Sequence, residues 1–226
     1  MASVRIAVGV LCLYLATLTD WLTTDYDTYD IELHSANVYI ISRLFDDHDA
    51  RLIRKTLDAN KAYFVRKHLP MRSAGALSLR ELRGTPVTQL FRDHRTLHRI
   101  QNATGMQLQL VPRSDRNQVN ALLYSKVGDG IDAHTDGNVY FGSRWAGIYV
   151  VRDDDNAPLL LDGQPVTLNA NDFALFRADI ITHAVQRRTE IGERLVVNTL
   201  LCDVCTPRRD PLSVLYQCVI DRFVFY

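Results

Sequence analysis

Three side chains in the second half of the chain could together bind one metal ion. His134 and Asp136 are separated by a single residue, and side chains i and i+2 of an extended chain point to the same face. An imidazole and a carboxylate at this spacing can close on one ion, and His183 is the best candidate for a third ligand. Two histidines and one carboxylate, with other coordination positions left open, are the donor set typical of non-haem Fe(II) centres. The residues therefore predict a mononuclear iron site.

The same three residues also have a purely structural interpretation. Asp136 could cap backbone donors in a turn, and His183 could be a hydrogen-bonded histidine of the core. That interpretation does not account for Arg194, which stands in front of the apolar run Leu195 to Leu201.

The segment from about Asn120 to Leu201 resembles the catalytic core of the 2-oxoglutarate/Fe(II) dioxygenases, most closely their prolyl 4-hydroxylase-type branch. A lone His-x-Asp is a weak motif, whereas a whole ordered set of motifs is specific. In chain order, the elements that carry the resemblance are Tyr124, Gly128, His134 with Asp136, the strand Asp172 to Phe176, His183, and Gly192 with Arg194.

The resemblance implies a set of cofactors and a role for each matching residue. It implies Fe(II), 2-oxoglutarate and O2, with ascorbate as a further candidate, and hydroxylation coupled to conversion of 2-oxoglutarate to succinate. His134, Asp136 and His183 would bind the metal. Arg194 would bind the far carboxylate of 2-oxoglutarate, for which a guanidinium offers a bidentate fork. Tyr124 would hydrogen-bond the co-substrate or, equally, be a core tyrosine.

Two departures from the family pattern concern the same pocket. Many prolyl hydroxylase-type members have lysine where this chain has Arg194. A Gly-Gly-Glu-Thr-like segment is replaced here by the acidic run Arg152 to Pro158, which we expect to form a hairpin loop. We expect Thr199 to line the pocket, and Arg187 and Arg188 to face solvent.

The hydrophobic pattern changes from helical to strand-like along the chain. It predicts helices from Asp47 to Lys67 and from Pro86 to Gly105, with an irregular segment over 70–83 between them. Many short strands with Gly, Asp and Asn turns follow, which favours a closed or double-sheet β architecture. The resemblance implies a β-rich α+β fold: a double-stranded β-helix, or jelly roll, with the N-terminal helices packed on one sheet. The predicted strands are Val38 to Ile41, Gln107 to Val111, Gln118 to Lys126, Ile131 to His134, Trp145 to Val151, Leu159 to Leu161, Pro165 to Leu168, Phe173 to Phe176, His183 to Arg187 and Leu195 to Leu201.

The N-terminus has the pattern of a targeting segment. An uncharged stretch from Ile6 to Thr19 follows Arg5, which favours a signal-anchor or signal peptide over 1–22. Residues 23–37 are acidic and polar and are interpreted as a linker, and 38–226 as the dioxygenase domain. The domain would then lie at a membrane or in the lumen of the secretory pathway, where two of Cys202, Cys205 and Cys218 could form a disulfide.

Composition leaves three function classes open. The 226 residues are 47% hydrophobic and 23% charged, which is ordinary for a globular domain. The first hypothesis is a peptidyl hydroxylase acting on proline. The second is an oxidative nucleic-acid demethylase, because residues 43–116 carry 15 Lys and Arg against 7 Asp and Glu. The third is a non-catalytic structural protein, which would not need an intact triad.

Overall fold

The computed structural model describes residues 37–69, 71–154 and 157–215. The helices are α1 (Asp47–Ala59), α2 (Leu79–Leu82), α3 (Pro86–Arg92), α4 (His94–Thr104) and α5 (Pro211–Leu215), with a 3-10 turn at Lys61–Tyr63. The strands are β1 (Val38–Ile41), β2 (Val65–Leu69), β3 (Arg72–Leu77), β4 (Gln109–Leu110), β5 (Val119–Tyr124), β6 (Gly130–His134), β7 (Arg144–Arg152), β8 (Leu159–Leu161), β9 (Gln164–Val166), β10 (Phe173–Arg177), β11 (His183–Val185) and β12 (Arg194–Cys202).

The twelve strands form one curled antiparallel sheet. Its order is β1-β10-β7-β12-β5-β3-β6-β11-β8-β9, with β2 paired to β3 and β4 paired to β12. Strands that are distant in sequence lie next to one another, as in a jelly roll. The predicted fold class is confirmed.

The central strands β7 and β12 are buried on both faces. Successive side chains of a strand alternate between the faces. Val197 therefore packs in the layer that contains the α1 residues Ile53 and Leu57, whereas Val196 packs with Tyr124 inside the barrel. This double burial explains why β12 is almost continuously apolar in sequence.

The predicted first helix is too long at its C-terminal end. Asp46 caps the start of α1 by accepting a hydrogen bond from the Asp49 backbone N at 2.8 Å. The helix ends at Ala59 and not near Lys67. Residues Val65–Leu69 pair instead with Arg72–Leu77 in an antiparallel hairpin, so much of the segment expected to be irregular is a strand. Pairing within this hairpin outweighs local helix propensity here.

The predicted second helix is two helices. Asp93 has an extended backbone (φ −63°, ψ 133°), and its carboxylate accepts from the Arg95 backbone N at 2.9 Å. An aspartate in this position competes for backbone donors and starts a new helix, α4. Gly105 ends α4 in the left-handed conformation at φ 70°, as the sequence predicts.

The predicted targeting segment and most of the predicted linker lie outside the described residues. Among the residues that the structure does describe, no helix has the length and apolar character needed to cross a membrane. Cys202 and Cys205, at the end of β12, form a disulfide. Cys218 lies outside the described part of the chain.

Candidate metal centre

Two neighbouring strands bring the three predicted metal ligands together. His134 ends β6, Asp136 follows two residues later, and His183 begins β11 directly opposite His134. The Asp136 Oδ1 lies 3.6 Å from His134 Nε2 and 3.8 Å from His183 Nε2. All three ligand atoms are within 4.8 Å of one another, which is the arrangement that a single ion requires.

Each imidazole is oriented by a backbone carbonyl two residues before it. His134 Nδ1 lies 2.8 Å from the carbonyl O of Asp132, and His183 Nδ1 lies 3.1 Å from the carbonyl O of Ile181. A nitrogen that donates to a carbonyl carries the proton, so the Nε2 lone pair of each ring faces the other ligands. Burial lowers the pKa of His183 below its ordinary value, which favours the neutral, metal-binding form of its ring.

Asp136 is fixed by the loops that surround it. Its backbone N donates to the carbonyl O of Ala178 at 2.7 Å. The Nε of Arg144 lies 3.5 Å from Asp136 Oδ2, and the Arg144 guanidinium also donates to the Gly137 carbonyl. Arg144 could not be predicted as a site residue, because a single arginine at the start of a strand has no distinguishing pattern in the sequence.

A cavity inside the barrel connects the triad to Arg194. It is lined by His134, Asp136 and His183 and also by Arg194 and Tyr124. Arg194 is only 1% exposed, so the structure places it inside the pocket and not in solvent. Five of the sequence-predicted site residues therefore line one cavity.

Arg194 has hydrogen-bonding capacity left over. Its Nη1 donates to Asp153 in the acidic run after β7. Its Nε and Nη2 are buried and have no hydrogen-bond partner among the described residues. Buried polar atoms are nearly always satisfied in proteins, so unsatisfied donors in a cavity point to a ligand. A carboxylate would satisfy both of these N–H groups.

Tyr124 and Arg72 complete the same end of the cavity. Tyr124 is the register partner of Arg194 on β5, and burial raises the pKa of its hydroxyl to about 12 against the opposing effect of the Arg194 and Arg72 charges. Arg72 lines the cavity and is 8% exposed. Sequence reasoning missed Arg72, since it lies in the segment expected to be irregular.

Two asparagines also line the cavity. Asn120 on β5 and Asn198 on β12 are register partners. The Oδ1 of each is buried and has no hydrogen-bond partner in the described part of the chain. Thr199, which the sequence suggested as a lining residue, also borders the cavity, but its hydroxyl donates to the Gln118 carbonyl at 2.9 Å.

The expectation that Arg188 faces solvent is wrong. Arg188 is 2% exposed, and its guanidinium forms a bidentate pair with Asp154. The acidic run is thus a source of counter-charges for buried arginines. Arg187 is exposed, as expected, and pairs with Asp132 at 2.7 Å.

No protein-family model matches the sequence, and no curated protein matches it significantly in a sequence search. Solved structures do match. The α-ketoglutarate-dependent epimerase SnoN from nogalamycin biosynthesis is 12% identical, with TM-score 0.61 over 74% of this chain and 78% of SnoN. A Pseudomonas putida prolyl-4-hydroxylase is 13% identical, with TM-score 0.57 over 77% and 94%. A Trichoplax adhaerens prolyl hydroxylase bound to a hypoxia inducible factor peptide fragment is 15% identical, with TM-score 0.57 over 76% and 86%. The chain has the fold of the 2-oxoglutarate/Fe(II) oxygenases.

Proposed function

We propose that this protein is an Fe(II)- and 2-oxoglutarate-dependent dioxygenase that hydroxylates a peptidyl substrate, with proline as the target residue. The observation that carries the proposal is one cavity with two kinds of binding group. At one position two imidazoles and a carboxylate converge. At another lies a buried arginine with two N–H groups unsatisfied among the described residues.

The donor set of the triad fits ferrous iron. Nitrogen and oxygen ligands suit Fe(II), and three protein ligands leave positions for a bidentate co-substrate and O2. A related fold supports the pairing with 2-oxoglutarate, because a SnoN structure holds Fe3+ and α-ketoglutarate. When bound, the iron and co-substrate supply oxidative decarboxylation to succinate and CO2 coupled to substrate hydroxylation. The protein orients these groups, holds the co-substrate carboxylate at Arg194 and excludes water.

A peptide substrate is supported by the loops that flank the metal ligands. Phe141 follows Asp136 by five residues and is 65% exposed, and Ile180 precedes His183 by three and is 40% exposed. Val204, 51% exposed, lies beside Phe141, since the Gly142 backbone N donates to the Val204 carbonyl at 3.0 Å. Apolar side chains on loops around a site suit an apolar peptide segment, and two of the similar folds belong to prolyl hydroxylases.

One surface feature favours a second candidate function, oxidative demethylation of nucleic acid. Arg92 and Arg113 line an open cleft. Burial lowers the pKa of Arg92, and the neighbouring charges of Arg113 and Arg83 lower it further. Arg92 Nε also donates to Gln118 Oε1 at 3.0 Å, and the adjacent Asn117 lines the barrel cavity. A phosphate backbone would bind such a cluster.

Iron and co-substrate dependence can be tested directly. Purified protein with Fe(II), 2-oxoglutarate and O2 should release succinate. His134→Ala should abolish both succinate release and high-affinity Fe(II) binding, measured anaerobically by equilibrium dialysis. The matched control is His98→Ala, an exposed histidine on α4, which should change neither. If the wild-type protein binds no Fe(II), the proposed function is contradicted and the non-catalytic structural protein is the alternative that remains.

The substrate class can be decided by testing a pool of peptides and a pool of methylated oligonucleotides in the same succinate-release assay. Proline-containing peptides should stimulate succinate release and gain 16 Da, the mass of one oxygen atom, whereas methylated oligonucleotides should do neither. Demethylation of the oligonucleotides without peptide hydroxylation would replace the first candidate with the second. In that case Arg92→Met and Arg113→Met should weaken oligonucleotide binding and reduce its dependence on salt concentration.

We also propose that the domain works at a membrane or in the secretory-pathway lumen. The support is the uncharged stretch from Ile6 to Thr19, together with the Cys202–Cys205 disulfide, since disulfides persist in oxidising compartments. Full-length protein should fractionate with membranes, and deletion of residues 1–20 should release it. A full-length protein in the cytosolic fraction would contradict this localisation.

A further inference from the structure

A group of arginines beside the metal cavity carries excess positive charge. Residues 80–95 and 113–118 contain six arginines against three acidic residues. Arg92 and Arg113 line an open cleft. Arg83 lies close to it, because burial lowers the pKa of Arg92 and the charges of Arg113 and Arg83 lower it further. Among the described residues, none of these three arginines forms an ion pair with a carboxylate. The three residues define what we call the arginine cleft.

The acidic residues of the same two segments have other partners. Glu81 takes part in the capping box at the start of α2. Asp93 lines the cleft, but its carboxylate pairs with Arg95 at 2.7 Å. Asp115 accepts a hydrogen bond from the Tyr140 hydroxyl at 2.6 Å. The arginine cleft therefore keeps its positive charge.

The cleft lies within reach of the metal cavity. Asn117 lines the barrel cavity that contains the triad, and Arg113 is four residues before it. Four residues span at most about 14 Å when fully extended. Arg92 also donates to the Oε1 of Gln118, the next residue after Asn117, at 3.0 Å. One ligand can accordingly occupy the cleft and the mouth of the cavity at the same time.

Apolar side chains flank the same mouth. The hydrogen bond from Tyr140 to Asp115 joins the segment that contains Arg113 to the loop that carries Phe141. Phe141 is exposed, and exposed Val204 lies beside it. The surroundings of the cavity thus combine an apolar patch with a group of cations that lack carboxylate partners in the described part of the chain.

We propose that the arginine cleft binds the carboxylate of an aspartate or glutamate in the peptide substrate, while apolar residues of the same peptide contact Phe141 and Val204. This inference rests on the proposed function and adds the substrate class, an acidic peptide. Complementary charges of this kind set the choice of partner more than the total affinity. An extended peptide rises about 3.3 Å per residue, so the acidic residue lies roughly four to six positions from the target proline.

The charge distribution suits a single carboxylate better than a continuous phosphate backbone. Asp93 lines the cleft, and Asp115 lies between Arg113 and Arg116 in the chain. A nucleic acid carries a negative charge at every phosphate, so part of its backbone would face these carboxylates. One acidic side chain can bind the arginines and avoid them.

Pairs of peptides that differ by one charge test the inference. Each peptide has one proline with apolar neighbours and a glutamate placed at a series of positions on either side, and its partner has glutamine instead of the glutamate. Affinity for anaerobic full-length protein loaded with Fe(II) and 2-oxoglutarate is measured by fluorescence anisotropy, without turnover. At the best position the glutamate peptide should bind about fivefold more tightly than the glutamine peptide, the upper range for an exposed ion pair. This preference should shrink as the salt concentration rises.

Charge reversal in the cleft provides the decisive variant. Arg113→Glu should abolish the preference for glutamate and favour a peptide with lysine at the same position. Arg99→Glu makes the same change at an exposed arginine of α4 that does not line the cleft, and this matched control should keep the wild-type preference. An unchanged preference for glutamate in Arg113→Glu would overturn the inference. An oligonucleotide that binds wild type more tightly than the best glutamate peptide, and loses that affinity in Arg113→Glu, would also overturn it and assign the cleft to nucleic acid.

The same samples separate this inference from the proposed function. If wild-type protein binds neither Fe(II) nor 2-oxoglutarate, the proposed function fails. If wild type hydroxylates the glutamate and glutamine peptides with equal kcat/KM, the proposed function holds and only the acidic-peptide inference fails.

Discussion

At the scale of single residues, the metal ligand Asp136 depends on a cationic neighbour. The Nε of Arg144 lies 3.5 Å from Asp136 Oδ2, and Arg144 is 4% exposed. A buried arginine limits the rotation of the carboxylate, and the groups around metal ligands typically change metal affinity by about 10- to 100-fold. Arg144 acts through Asp136 and is a positioning residue.

We therefore expect Arg144→Met to weaken Fe(II) binding by about 10-fold or more while the protein stays folded. The measurement is anaerobic Fe(II) titration followed by equilibrium dialysis. Arg95→Met, which removes an exposed arginine from α4, is the matched control and should keep wild-type affinity. Equal Fe(II) affinity in the two variants would mean that Asp136 needs no cationic support.

A second residue-scale prediction concerns Asp129, which is completely buried. Burial alone would raise the pKa of its carboxyl. Hydrogen bonds from Arg66, the backbone N of Lys126 and Ser125, and the Ser73 hydroxyl outweigh that effect, and its pKa lies below the ordinary value of 3.8. The ionised form is therefore favoured by folding, and it stabilises the protein above that pH.

Asp129→Asn should lower the free energy of unfolding at pH 7 by about 3 kcal/mol, because Arg66 loses its buried partner. The sign of the pH dependence follows from the lowered pKa. The stabilisation by Asp129 is fully present above pH 3.8 and is lost as the pH falls below it. Urea unfolding of both proteins from pH 7 to pH 3 should show the difference shrinking at the acidic end, and a difference that is constant with pH would contradict this account.

At the scale of secondary-structure elements, the contact between β6 and β11 sets the distance between the two imidazoles. Gly130 at the start of β6 lies against β11 and the residues after it. A Cβ there would meet the Val185 carbonyl O at 2.7 Å and the Arg187 Cα at 2.9 Å. Real Cβ atoms do not approach backbone so closely, so any side chain at 130 must separate the strands.

Gly130→Ala should therefore reduce stability and Fe(II) affinity together, each measurably, because His134 and His183 lie on the strands that separate. Thermal unfolding of the apoprotein and Fe(II) titration measure the two effects. Gly105→Ala is the control. It places Ala at φ 70° with no atom within 4 Å of the new Cβ, costs roughly 1 kcal/mol of backbone strain, and should leave Fe(II) affinity unchanged.

The sequence predicts the strands of the barrel better than the segments around it. Strands such as Leu159–Leu161 have the predicted bounds, because apolar runs and turn residues are local signals. The β2–β3 hairpin could not be predicted, since Arg66 to His68 form a polar run without the apolar alternation of a strand, and their strand conformation depends on pairing with Ser73 to Gly75. Arg72 was missed for this reason. Asp153 was missed as a partner of Arg194, because ion pairs between segments have no local signature.

At the scale of the whole molecule, the residues that the structure describes form two apolar layers that share the central strands. One layer joins α1, α3 and α4 to the sheet through residues such as Leu57, Phe91 and Tyr149. The other fills the barrel interior around the cavity. The first layer contains none of the predicted metal ligands, so it should affect stability without directly changing the site.

Leu57→Ala tests this separation. Leu57 is fully buried, and the cavity left by the truncation should lower the free energy of unfolding by about 3 kcal/mol. At temperatures below the unfolding midpoint of the Leu57→Ala variant, its Fe(II) affinity should stay within about twofold of wild type. A large loss of Fe(II) affinity in folded Leu57→Ala protein would show that the helical layer also holds the site in shape.

The carbonyl groups that orient the two imidazoles have a consequence for how this centre could be reused. Each acceptor is only two positions before its histidine, Asp132 for His134 and Ile181 for His183. The orientation of each ring therefore depends on a segment of three residues. Asp136 lies in the loop that follows the first of these segments and is held by the Ala178 carbonyl, so a redesign of the loops has to keep residues 132–136 and 178–183. Loops outside these two segments can be changed to redirect the chemistry of the centre towards other molecules.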